Sequence, residues 1–104
     1  MDMIERFEGM LAAGQDNALL RFTLGGAYMK AGRAKEAVPH LQSAIEQDEE
    51  YSAAWKLLGR ALAETGDIAS AEATFDRGIK VAEGRGDKQA VKEMEVFKRR
   101  LKHS

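Results

Sequence analysis

The chain contains no cysteine, which excludes a disulfide framework, a thiol nucleophile and a thiolate metal site. It has one proline, Pro39, so almost nothing interrupts helix formation, since an interior proline removes a hydrogen bond and clashes with the preceding turn. It also lacks a bulk charge: sixteen Lys and Arg nearly cancel seventeen Asp and Glu, so no long-range field draws the chain to nucleic acid or anionic lipid. No apolar run approaches a membrane span, and Met1-Asp2-Met3-Ile4-Glu5-Arg6 does not read as the start of a signal peptide. A cytoplasmic location is the expectation that follows. With 44% hydrophobic residues over 104 positions, there is apolar material for one folded unit and not for two domains.

What is present is a repeat. Shifting the sequence by 34 residues places Leu24-Gly25 on Leu58-Gly59, Gly32 on Gly66, Ala37 on Ala71, Leu41 on Phe75, Ala44 on Gly78 and Ile45 on Ile79. The matches are small and large apolar residues, the kind that interlock in a core. Each copy reads as two amphipathic helices around a tight turn. In the second copy Ala54, Leu57, Leu58, Ala61 and Leu62 form a helical stripe over 52–65. Gly66 then stops the helix, and Asp67 caps the next, whose buried face is Ile68, Ala71, Phe75 and Ile79. The first copy follows the same plan, with Asp16 or Asn17 as cap and a turn at Gly32. Pro39 predicts a small kink or an unpaired carbonyl near Lys35.

This period and pattern resemble the tetratricopeptide repeat, whose signature runs W-x2-L-G-x2-Y, A-x3-F, P. The second copy supplies Trp55, Leu58, Gly59, Leu62, Ala71 and Phe75; the first supplies Arg21, Leu24, Gly25, Tyr28, Ala37 and Leu41. It departs where Arg21 replaces tryptophan and where Glu49 and Glu83 stand for the closing proline. The resemblance implies an all-α fold, a short right-handed solenoid of αα-hairpins forming a single domain over 1–104. Its parts are a lone helix at 2–13, repeats at 18–51 and 52–85, and a capping helix at 88–102. Phe7 and Leu11 precede Leu41 and Ile45 by the same 34 residues. Ala90, Met94, Phe97 and Leu101 match Ala54, Leu58, Ala61 and Thr65 if the connecting loop is two residues longer. The charged outer face of this last helix suits a solvating cap. With it and the starting methionine, the chain reads as a whole protein.

Catalytic and cofactor signals are thin. His40 and His103 stand alone and read as solvated surface groups, and no nucleophile elbow, phosphate loop or zinc motif is present. Gly25-Gly26 lies within a helix, where it marks close packing or a gap. The acidic run Glu46, Asp48, Glu49, Glu50 lacks the alternation of a calcium loop. Arg85-Gly86-Asp87 is explained as a helix stop followed by a cap. The basic end Lys98-Arg99-Arg100-Leu101-Lys102 fits the helix dipole and has no aromatics for base stacking. The expectation is a non-enzyme with no metal, no cofactor, and neither nucleic acid nor membrane as partner.

The most informative segment is the helix over 18–31. Leu20, Leu24, Ala27 and Tyr28 provide its core stripe, yet Leu19, Phe22, Gly26 and Met29 form a second apolar face. A helix apolar nearly all round is fully buried or covered by a partner. In the family this second face lines the concave groove, so the resemblance implies a ligand surface of Leu19, Phe22, Gly26 and Met29 beside Lys56 and Arg60. The latter two resemble part of a carboxylate clamp, the rest of which is missing because Phe22 and Gly26 occupy the matching places. Arg60 has a local alternative in Glu64 at i+4, and Phe22 and Met29 have one in packing against the N-terminal helix or another copy. The expected function is an adaptor that binds a peptide segment or helix of another protein. The alternative is a structural homo-oligomer, a homodimer for instance, joined through Met3, Ile4 and Phe7 of the N-terminal helix.

Overall fold

The computed structural model describes residues 2–101, which leaves Lys102 and His103 of the basic end and tail outside the described residues. The described chain is entirely helical: α1 Met3–Ala12, α2 Ala18–Lys30, α3 Ala34–Gln47, α4 Ser52–Glu64, α5 Ile68–Arg85 and α6 Lys88–Arg100. Side chains cap four of the N-termini. Asp2 and Glu5 form a capping box on α1, Asn17 accepts from the Leu20 N–H (2.8 Å), and Asp67 and Asp87 accept from Ser70 and Ala90. Asp16 instead holds Arg21 and Gln47. Gly66 adopts φ +89° just past α4, a left-handed conformation that ends a helix without strain only when no Cβ is present.

One expectation changes here. The insertion before α6 is taken up as helix rather than as a longer loop, because nothing from Val81 to Arg85 is a strong breaker; α5 runs 18 residues against 14 for α3, and only Gly86 and Asp87 connect it to α6. Helix α3 also continues through Pro39. Both Pro39 and Lys35 are exposed, so the carbonyl that loses its partner lies where water can bond it.

Each helix packs on the next, and beyond neighbours the backbones of α2 and α4, and of α4 and α6, also come together. The backbones of the odd-numbered helices stay further apart, α1 and α3 meeting only through the side chains of Glu8 and His40, so the stack of hairpins bends toward the even-numbered side. The concave face is therefore made by α2, α4 and α6. Packing rests on large side chains seated against glycines. A Cβ on Gly25 would lie 2.6 Å from Leu41, one on Gly59 would lie 2.4 Å from the Phe75 ring, and one on Gly78 would meet both Met94 and Trp55 at 2.7 Å. Leu24, Leu41, Phe75 and Met94 are fully buried as a result. In the register that puts Met94 on Leu58, Glu95 takes the place of Gly59, and it is exposed.

Helix α1 is fastened by a polar cluster that the sequence reading missed. Glu8 accepts from the Tyr28 hydroxyl at 2.5 Å and lies 3.5 Å from Nε2 of His40. Arg21 donates to Nδ1 of His40 at 3.2 Å, and the imidazole stacks on the Tyr28 ring. His40 is thus half-buried, not solvated as expected, because α1 lies over that part of α3. Burial holds its pKa below the ordinary value even though the Glu8 carboxylate pulls the other way. The Tyr28 hydroxyl, donating to Glu8, is pushed up to about 12.

Candidate peptide-binding face

Helix α2 reaches the concave face with its second apolar stripe because its first is already committed: Leu20, Leu24, Ala27 and Tyr28 are buried, Leu24 and Tyr28 within the main core cluster. Leu19 stands 66% exposed at the edge of the face. Phe22 is half-buried, its ring 4.9 Å from that of Tyr51 at the start of α4. Met29 is also half-buried and packs against the core. Gly26 leaves a gap between α2 and α4, where the nearest group to an added Cβ would be Leu57 at 3.9 Å. Unlike Gly25, this glycine has no packing reason to lack a side chain. Gly26→Ala is therefore expected to raise stability by about 0.5–1 kcal/mol through helix propensity, measured by urea denaturation.

The basic pair on α4 is engaged from α6. Lys56 Nζ donates to Glu93 Oε1 at 2.6 Å, and the guanidinium of Arg60 sits 5.1 Å from the centre of the Phe97 ring rather than against Glu64. Gln89 donates to the other Glu93 oxygen at 3.3 Å. These contacts hold the Glu93 carboxyl below the usual carboxylate range, the Lys56 hydrogen bond first among the causes. Between α4 and α6 lies a cleft of about 520 Å³ whose walls include Tyr51, Ala53, Lys56, Gln89 and Glu93. Tyr51, Gln89, Glu93 and Phe97 were missed in the sequence. The signal was there, since the register of α6 puts Glu93 on Leu57, next to Lys56, but its charges read as a solvating cap.

Of the N-terminal residues, Met3 is 56% exposed, whereas Ile4 and Phe7 are half-buried against the core of the same chain. Among the described residues no group of three His, Asp or Glu side chains is placed to hold a metal ion, and no helix is long and apolar enough to cross a membrane.

Family profiles described as tetratricopeptide repeat match residues 28–92 and 4–48. The chain belongs to the tetratricopeptide repeat family. A TPR repeat-containing protein of Pseudomonas aeruginosa strain PAO1 is 56% identical over 99 residues, covering 95% of this chain and 94% of that protein. The solution structure of a Bordetella parapertussis protein superposes with a TM-score of 0.84 at 48% identity, covering 97% of this chain and 88% of that one. The crystal structure of YrrB, described as a TPR protein with an unusual peptide-binding site, superposes with a TM-score of 0.74 at 29% identity, covering 92% of this chain and 50% of YrrB. Tetratricopeptide repeats are a protein-interaction fold, in which stacked hairpins offer a surface rather than a reaction centre.

Proposed function

We propose that this tetratricopeptide repeat chain is an adaptor that binds a peptide segment or helix of another protein along the concave face of α2, α4 and α6. The observation that carries the reading is Leu19, a large apolar side chain left 66% exposed beside the Phe22–Tyr51 pair, with the Gly26 gap one and two turns further along the same helix face. A partner side chain inserted there would bury apolar surface at about 25 cal/mol per Å², and the pre-formed helices would lose little entropy on binding. The peptide-binding site named for YrrB supports the reading by analogy.

Leu19→Asp changes the face without touching the core. Selection of a phage-displayed random peptide library is expected to enrich apolar-anchored sequences on the wild-type protein, and the substitution should weaken those peptides at least tenfold while the melting temperature stays put, since an exposed position rarely matters to stability. Peptides that bind both proteins equally would move the site off α2. Self-association through Met3, Ile4 and Phe7 is the second reading, motivated by the exposure of Met3. A monomer throughout a dilution series followed by light scattering would remove it.

A further inference from the structure

We infer that Glu93 is a specificity-determining residue that closes the Lys56 position of the concave face to carboxylates, so that the partner segment presents a neutral or basic side chain there. The inference rests on the concave-face reading above. By sequence alone, Lys56 and Arg60 form an open basic pair suited to an acidic peptide or a free C-terminus. In the folded chain α6 answers both: Glu93 is 2.6 Å from Lys56, and Phe97 lies under Arg60. Both oxygens of Glu93 are occupied, one by Lys56 and the other by Gln89, so the carboxylate is held in one place rather than left to swing clear.

The pair is only partly covered, with side-chain exposures of 28% for Lys56 and 38% for Glu93. Such pairs contribute little to stability, which separates this role from a structural one. Their effect on recognition is larger. An incoming carboxylate that reached Lys56 would come to rest beside the carboxylate already there, and two like charges a few ångströms apart in a partly desolvated cleft repel. A site can discriminate by such a repulsive element as well as by attraction. A neutral side chain meets no such penalty, and a basic one can donate to the lone pairs that Lys56 and Gln89 leave free on the Glu93 carboxylate.

The test uses synthetic octapeptides built on a central Leu-Phe pair, with flanking positions filled by Glu, Gln or Lys, titrated by fluorescence anisotropy. Wild type is expected to bind the Gln and Lys sets and to disfavour the Glu set. Glu93→Gln should strengthen binding of the Glu set about tenfold and leave the Gln set unchanged. Glu93→Asp, which keeps the charge, should behave as wild type; a purely structural role would not sort the variants by charge. An unchanged order of preference in Glu93→Gln, or a wild-type preference for the Glu set, would overturn the inference while leaving the groove standing. If no peptide of any set bound either protein, the groove reading would fall and this inference with it.

Discussion

Phe75→Ala is expected to lower the unfolding free energy by about 3–5 kcal/mol. Phe75 is fully buried on α5, seated so closely on α4 that Gly59 has no room for a Cβ, and its ring is 6.0 Å from that of Phe97 on α6. Removing the ring takes away the transfer free energy of an aromatic side chain and leaves a cavity. The cavity cannot be filled from the Gly59 side, because that residue brings nothing to fill it. Relaxation would require α4 and α5 to slide together, which the other seat in the same hairpin opposes: Gly78 of α5 is wedged against Trp55. Chemical denaturation followed by helical circular dichroism would measure the loss. A midpoint shift corresponding to less than 1 kcal/mol would mean that the helices close up freely and that the glycine seats do not fix their spacing.

Met94→Ala is expected to cost about 2–5 kcal/mol, and to do so unevenly along the chain. Met94 is the fully buried side chain of α6, and it lands on Gly78. The remaining attachments are weaker. Ala90 is small, and Val91, Phe97 and Leu101 are half-buried, while Lys98 reaches Asp76 in an exposed ion pair. At the end of the described array α6 leans only on α5 and α4, so loss of the anchor should open α6 before the rest. Hydrogen exchange should therefore quicken in α6 while α2 and α3 remain protected. Uniform loss of protection would show that the six helices unfold as one unit. The same substitution should free Lys56 and Arg60, which would turn the concave face toward acidic peptides.

The hairpins and their seats were legible because the constraint is local and repeats. A glycine opposite a large side chain, twice over at the same spacing, can arise only if two helices meet there. The surplus of apolar residues on α2 was legible for a similar reason, since thirteen residues carried more apolar side chains than one core face could cover, but that Phe22 and Met29 would half-bury against the core and leave only Leu19 exposed was not. What escaped depends on contacts between distant segments. His40 is covered from two helices at once, by Tyr28 and Arg21 of α2 and by Glu8 of the returning α1, and neither the stacking nor the ion pair is written in its sequence neighbours. Lys56 looked free because its partner is 37 residues away on a helix whose charges have an ordinary explanation as a solvating surface. The change from a longer loop to a longer α5 was also out of reach, since Gly84 weakens a helix without stopping it. Helix patterns are written into neighbouring residues, whereas charge pairing between helices is decided by how the stack closes.

Glu95 stands where the next seat would be. A seventh helix laid against α6, as α5 lies against α4, would have to bring its large side chain onto a charged, solvated residue instead of a bare backbone. The α1 of a second molecule would face the same obstacle. Association of that head-to-tail kind does not close on itself and tends toward fibres, and the charge of Glu95, which would have to be desolvated, works against it.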